Sequence, residues 1–498
     1  MLHQGVSALA YGVRINVIAK YLGQLCGVIA VLNLAPLAVA LGYGEYTTGL
    51  VYLSVAAVFA LVALIATRLR VVADMQINEA LIITALAFIL AALGMSYSFM
   101  HSAGLSWMDA LFEAVSGITT TGLSTVVDVQ AQSHSFVFAR AWLQWYGGLG
   151  VVVMSLALVM GPGAVARRLA GAGGDVDDIP GSSRAYARRV MAVYLLLTVS
   201  ASLAAMALGQ DPFNAVVQAL ASVSTGGFSS FNDSLEGLAN GGVRTVVLTA
   251  CLCGAMPLAL YYQAWRNGWR QLPYDREIQT LLLFGLVVAL VLWLTWPDHG
   301  ETNTFGQAVA MAVSAQTTSG FTVVDVATLP ADSKGVLILS MALGGSMGST
   351  AGGIKILRLL ILLKLLQMIL LRSALPSHAV IEARLQGIRL EHDETQRAML
   401  IIVLYVWVIL LSWLPFLAYG HDPLNALFEV VSATATVGLS AGLTASALEP
   451  LLKIVLCLDM LLGRLEIVAL LILCYPTTWL GKKRTIHENR IHRGQYTD

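Results

Sequence analysis

The sequence predicts an all-α polytopic membrane protein of about ten transmembrane helices, two leading spans and then four repeats about a pseudo-fourfold axis. Three observations predict it: a very apolar composition, charge-free runs long enough to cross a bilayer, and a Thr/Ser-Gly loop that recurs four times. Of 498 residues, 57% are hydrophobic and 12% are Asp, Glu, Lys or Arg, about half the ~25% charge of a soluble domain. That excludes a disordered chain, which needs low hydrophobicity and high charge. Twenty-nine basic residues balance 29 acidic ones, so nucleic acid is not an expected partner.

Charge-free runs cover 21–44, 46–67, 80–108, 141–166, 190–210, 245–265, 278–297, 335–354 and 398–421. About 20 apolar residues cross ~30 Å of hydrocarbon. The runs are continuous and do not alternate, so they predict helices and not barrel strands. A tenth apolar stretch, 451–475, carries Lys453, Asp459, Arg464 and Glu466. The apolar segments 107–118, 213–223, 305–316 and 424–434 are too short to cross and predict re-entrant helices. Twenty-four of the 29 Lys and Arg fall within 14–20, 68–70, 167–189, 266–276, 355–397 and 482–493. With ten spans these places share one side, which the positive-inside rule makes cytoplasmic, with both termini inside. No secretory signal is expected at the N-terminus. Cys26, Cys251, Cys253, Cys457 and Cys474 fall in spans and predict buried thiols without disulfides.

The repeat is legible residue by residue. Phe112–Ser124 reads FEAVSGITTTGLS and Phe428–Ser440 reads FEVVSATATVGLS; between them lie ASVSTGGFS at Ala221–Ser229 and SAQTTSGFT at Ser314–Thr322. The aligned glycines are Gly122, Gly227, Gly320 and Gly438. Asp211-Pro212-Phe213-Asn214-Ala215 matches Asp422-Pro423-Leu424-Asn425-Ala426, and Arg140, Arg244, Lys334 and Lys453 follow their glycines by 14 to 18 residues. Ordinary helix connections would explain one such loop; four aligned copies make that explanation improbable. The chain then divides into two leading spans (1–75), repeats at 76–165, 166–265, 266–372 and 373–480, and a cytoplasmic tail (481–498). The third repeat is expected to have a broken second helix.

Non-helical backbone at membrane depth is tolerated only inside protein or beside a water-filled cavity. Four such loops therefore predict four span–pore-helix–loop–span units around a pseudo-fourfold central pore. Glycine frees the backbone to turn carbonyls toward the axis, where carbonyl rings can replace the hydration shell of K⁺. Each short helix would aim its negative C-terminal end at the cation. The filter candidates are Thr120, Thr121 and Gly122; Thr225, Gly226 and Gly227; Thr318, Ser319 and Gly320; and Thr436, Val437 and Gly438. None is charged, which argues against a carboxylate ring for divalent ions. K⁺ is the expected transported ion, and no organic cofactor is implied.

Two features predict a gate. Gly344, Gly345, Gly348, Gly352 and Gly353 lie within ten positions, at ~1 kcal/mol each against a helix, so the helix should break there. Close helix packing through small residues is the other reading. Arg464 lies about 13 residues into the last apolar stretch, where a charge costs ~2.5–3.5 kcal/mol and usually faces the bundle interior. A structural ion pair with Asp459 or Glu466 is the alternative.

Together these residues resemble the Trk/Ktr/HKT superfamily of K⁺ transporters, and most of all its bacterial TrkH-type membrane subunits, because two extra spans precede the repeats. The resemblance covers roughly 20–480. It is most specific in the four glycine loops, in GGSMGSTAGGIK at Gly344–Lys355, and in Gly463-Arg464-Leu465-Glu466. It implies potassium uptake by channel-like permeation of K⁺ and Rb⁺. It also implies an intramembrane gate of Gly345, Ser346, Gly348, Ser349, Thr350, Gly352 and Gly353 with Arg464. A homodimer in the bacterial inner membrane is implied too, with a cytoplasmic nucleotide-binding regulatory subunit of TrkA type docked near 161–189, 264–278 and 372–397. The four loops differ (TTTG, STGG, TTSG and ATVG), so the symmetry is approximate and Na⁺ permeation stays open. Gly122 stands where Na⁺-selective plant members carry serine, which favours K⁺. Symport with H⁺ or Na⁺ is the alternative, for which only Asp459, Arg464 and Glu466 lie inside spans. More remote is an intramembrane serine hydrolase at Ser346 or Ser440, each in a GxSxG string. It would need a base beside the serine, and none of the nine His lies mid-span. There is no nucleotide-binding GxxxxGK[ST] motif. Asp128, Asp233, Asp325 and Asp332 should line the outer mouth, as a solvated rim or as a concentrator of cations.

Overall fold

Polar caps start the short helices where the pattern places them. Ser106, Asp211 and Asp422 accept hydrogen bonds from the backbone N–H groups of Asp109, Asn214 and Asn425, and Pro212 and Pro423 occupy the first turn, where a missing N–H does no harm. The resulting helices are α5 (Trp107–Ile118), α8 (Pro212–Val223) and α16 (Pro423–Thr434). Their third-repeat counterpart is α12 (Thr304–Gln316). The structure is a computed structural model that describes residues 12–69, 75–159, 183–296, 304–374, 376, 383–385 and 388–480. The expected cytoplasmic tail (481–498) and most of the 161–189 segment lie outside the described residues.

The remaining helices follow the apolar runs. They are α1 (Ile15–Leu32), α2 (Leu34–Gly42), α3 (Tyr46–Thr67), α4 (Ile77–Ala103), α6 (His134–Val159), α7 (Ser183–Ala207), α9 (Gly241–Ala255), α10 (Leu258–Asn267), α11 (Arg276–Thr295), α13 (Ala331–Ala342), α14 (Ile356–Ala374), α15 (His392–Ala418), α17 (Pro450–Arg464), α18 (Val468–Cys474) and α19 (Pro476–Leu480). Among the described residues six helical segments are long and apolar enough to cross a membrane alone, counting α1 with α2 as one. Three expected crossings are not straight helices. The run 245–265 bends by 89° between α9 and α10, because Pro257 has no N–H to continue the ladder. The third repeat's second helix stops at Ala342 and resumes at Ile356. The last stretch breaks at Leu465–Ile467, where Glu466 and Ile467 have φ of 56° and 62°. One small addition to the all-α expectation is an antiparallel pair of two-residue strands, Arg384–Leu385 with Ile388–Arg389.

The packing order makes a ring. The second helix of each repeat lies on the short helix of the next: α6 on α8, α9 on α12, α13 on α16, and α17 back on α5. The leading helices stay outside it, α1 packing on α3 and α4. Arg14 ties them to the first repeat through Glu79, at 2.8 Å from both its Nε and Nη2.

The four-loop ring and the segment beneath it

Each short helix ends the same way. The N–H groups of Thr120, Thr225, Thr318 and Thr436 donate to carbonyls three residues back, and those of Thr121, Gly226, Ser319 and Val437 to carbonyls five back, all at 2.8–3.2 Å. The four threonines take φ of 52–54° and the four aligned glycines φ of 70–95°. A left-handed threonine followed two residues later by a left-handed glycine turns the backbone out of the helix identically in all four repeats.

The loops then meet head to tail. A Cβ on Gly122 would collide with the carbonyl oxygen of Gly226, one on Gly227 with that of Ser319, one on Gly320 with that of Val437, and one on Gly438 with that of Thr121. Each glycine thus lies against the carbonyl preceding the next repeat's glycine, and the circuit closes. All twelve expected filter residues fall in this ring. The side chains of Thr121 and Ser319 turn back to the hydroxyls of Thr119 and Thr317, at 2.8 and 3.1 Å. The hydroxyls of Thr120 and Thr436 are buried with no hydrogen-bond partner among the described residues.

The ring is braced from behind by residues that the sequence reading left without a role. Glu113 accepts from Ser124 and from Arg140 Nε at 2.6 Å. Glu429 accepts from Ser440 Oγ at 2.6 Å, Thr444 Oγ1 at 2.7 Å and the N–H groups of Ala441 and Leu443. Gln218 reaches Ser229 at 2.9 Å in the second repeat, and Gln144 bonds the carbonyl of Gly226. The signal was present: both FEAVS and FEVVS carry the glutamate, eleven residues before the serine it clasps. The aligned cations link neighbouring repeats. The Arg140 guanidinium lies 3.9 Å from the Phe228 ring centroid, Lys334 Nζ donates to Asn425 at 2.9 Å, and Lys453 Nζ donates to Asp109 at 2.6 Å. Arg244 departs from this pattern and donates to the Glu236 carbonyl of its own repeat. Among the four aspartates expected at the mouth, Asp128 accepts from the Asn232 amide at 3.0 Å and the Ala131 N–H at 3.1 Å, which hold its carboxyl below the usual carboxylate range.

The glycine-rich segment lies directly against one face of the ring. Leu343 bridges Ile354, closing the segment's base, and the stretch between is not helical. The N–H groups of Ser346 and Thr350 donate to the carbonyls of Ala255 and Gly254, at 3.0 and 3.1 Å. Thr225 Oγ1 reaches Thr350 Oγ1 at 3.3 Å, and the Gly352 N–H reaches Thr318 Oγ1 at 2.7 Å. A Cβ on Gly352 would collide with Ala435 O and Thr436 Oγ1. So Gly345, Ser346, Gly348, Ser349, Thr350, Gly352 and Gly353 form one loop, and it touches threonines of the ring from three repeats. Arg464 enters from the fourth repeat, and its Nη1 donates to Thr350 O at 2.6 Å. The expected alternative pairing of Arg464 fails. Glu466 takes Arg358 at 2.5 Å and Asp459 takes the Ser412 hydroxyl at 2.5 Å. Neither GxSxG string holds a serine–histidine pair among the described contacts, and Ser440 donates its hydroxyl to Glu429.

The chain matches the TrkH family model, described as cation transport protein, over residues 54–267 and 300–478. It is 30% identical to the Trk system potassium uptake protein TrkH of Escherichia coli K12 over 420 residues, 82% of this chain and 87% of that one. It is 32% identical to the protein of the same name from Halomonas elongata over 393 residues, 76% of this chain and 80% of that one. The crystal structure of the potassium transporter TrkH from Vibrio parahaemolyticus superposes with a TM-score of 0.84 at 27% identity, covering 94% of this chain and 100% of that chain.

Proposed function

This chain belongs to the TrkH family of cation transport proteins, and from that premise we propose that it takes up K⁺ by channel-like permeation through the ring of four loops. It is a multi-pass membrane transport protein, not an enzyme. The observation that carries the reading is the closed circuit of glycine-to-carbonyl contacts around the ring. Such a ring sets uncharged oxygens about one axis, which suits a monovalent cation leaving its water. The partnerless hydroxyls of Thr120 and Thr436 supply further oxygens for the ion. The loop Gly345–Gly353 and Arg464 are the gate: the loop occupies the pore beneath the filter, and the guanidinium both anchors it and repels cations. The named charges inside the spans are each tied to a fixed partner, Asp459 to Ser412, Glu466 to Arg358 and Arg464 to Thr350. That favours uncoupled permeation over symport with H⁺ or Na⁺. The protein would work as a homodimer in the bacterial inner membrane with both termini inside, beside a cytoplasmic nucleotide-binding regulatory subunit of TrkA type.

Rubidium tracer uptake into liposomes holding the purified protein tests this, with K⁺ and Na⁺ as competitors and Gly122→Ser as the variant. Serine at φ 95° carries ~1–2 kcal/mol of left-handed backbone strain and a Cβ aimed at Gly226 O. Uptake should be blocked by K⁺ far better than by Na⁺, and the variant should lose about tenfold of that preference, 1.4 kcal/mol corresponding to a factor of ten. Equal competition by the two ions in the parent protein would sink the K⁺ filter.

A further inference from the structure

The gate loop is gripped from the cytoplasmic side by a single connector. Residues 258–277 join the second helix of repeat 2 to the first helix of repeat 3, through α10, a 3₁₀ turn at Trp269–Tyr274 and the cap Asp275. Both ends of this connector hold the same short stretch of loop. At one end the Leu258 N–H donates to Gly348 O at 3.2 Å. At the other, Glu277 Oε2 accepts the Met347 N–H at 2.7 Å. Glu277 is 1% exposed, and its rigid placement has a local cause. Asp275 caps α11 by accepting from the N–H groups of Glu277 and Ile278, at 2.9 and 3.1 Å, which fixes the turn from which the carboxylate reaches the loop. A hydrogen bond from a buried backbone N–H is costly to break without a replacement acceptor, and Arg464 holds the opposite side of the loop by donating Nη1 to Thr350 O.

We propose that Glu277 is a positioning residue of the gate: it latches Met347 and holds the loop shut, so that movement of the 258–277 connector is transmitted to the pore. The inference rests on the gate reading above. It also supplies what that reading lacks, a route from the cytoplasmic surface to the loop. Anything that binds the connector and rotates the first turn of α11 withdraws the carboxylate from Met347 and releases the loop, while the filter, held by its own braces, is untouched.

Two substitutions separate reach from the carboxyl group. Glu277→Asp keeps the carboxyl but is one methylene too short to reach Met347, whereas Glu277→Gln keeps the reach and an accepting oxygen. Rubidium uptake into liposomes holding the full chain should rise about tenfold for Glu277→Asp, the worth of one such bond, and stay within about twofold of the parent for Glu277→Gln. The K⁺ to Na⁺ competition ratio should not move in either, a result that a general loosening of the fold would not give. Leu258→Pro removes the other clasp at a first-turn position that tolerates proline, and it should raise uptake too, which keeps the test open if Glu277→Asp does not fold. Deletion of 345–350 serves as control. If the deletion raises uptake and both Glu277→Asp and Leu258→Pro leave it flat, the latch is wrong and the gate stands. If the deletion leaves uptake flat, the gate reading has failed and the latch falls with it. A rise in Glu277→Gln without one in Glu277→Asp would replace the latch with a purely electrostatic role.

Discussion

Threonine is a poor residue for the left-handed backbone, yet Thr120, Thr225, Thr318 and Thr436 all adopt it. A β-branched residue there costs ~1–3 kcal/mol, and the twin backbone bonds at each helix end keep it in place. Glycine would remove the strain, so the retained side chain must contribute something glycine lacks. At Thr225 and Thr318 the hydroxyl bonds the glycine-rich loop; at Thr120 it has no partner among the described residues. Thr120→Gly therefore separates structure from transport. Relief of strain is offset by ~1 kcal/mol of glycine entropy and ~0.8 kcal/mol for each buried carbon lost. The melting temperature in detergent should barely move, while the advantage of K⁺ over Na⁺ as a competitor of rubidium uptake should fall several-fold. A large drop in melting temperature with unchanged competition would show the hydroxyl to be structural.

Elements explain which parts of this molecule could be read from its sequence. The short helices were legible because Ser106, Asp211 and Asp422 announce their starts, and the loops because glycine is forced by the neighbouring carbonyl and cannot be substituted silently. The break in the second helix of the third repeat was legible from glycine density alone. Long-range wiring was not: nothing local says that Glu466 takes Arg358 across 108 residues and leaves Arg464 to the loop. The 89° bend after Ala255 was signalled by Pro257, but a window scored for charge does not see it. Helix contacts show the same division. Gly147, Gly254 and Gly463 sit in α6, α9 and α17, and a Cβ on each would collide with the carbonyl of Ile118, Val223 or Thr434, at the end of its own repeat's short helix. Gly335 in α13 has nothing within 4 Å of a built Cβ. Gly254→Ala should thus overpack the α8–α9 contact and destabilise by ~1–3 kcal/mol, whereas Gly335→Ala should gain up to ~1 kcal/mol of helix propensity. Thermal melting of both in detergent checks the pair, and equal shifts would remove the close approach as the reason for Gly254.

At the scale of the whole molecule the fold is a ring made from one chain, so its last repeat must find its first. The aligned cations serve that closure: Arg140 reaches the second repeat, Lys334 the fourth, and Lys453 returns to Asp109 across 344 residues. The Lys453–Asp109 pair is the one that seals the circuit, with side chains 4% and 13% exposed. Taking away one partner leaves a largely buried charge alone, at ~3–5 kcal/mol. Lys453→Met should therefore lower the melting temperature and loosen the fit of the fourth loop against the first, where Gly438 meets Thr121 O. K⁺ selectivity should weaken in the same variant, because a ring that gapes no longer spaces its oxygens for one ion. The double variant Lys453→Met with Asp109→Leu removes both charges and substitutes apolar contact, so it should recover part of the loss, with a coupling of ~1–3 kcal/mol between the sites. Strict additivity of the two single changes would show that the pair does not hold the ring closed, and closure would then rest on the packing of α17 against α5.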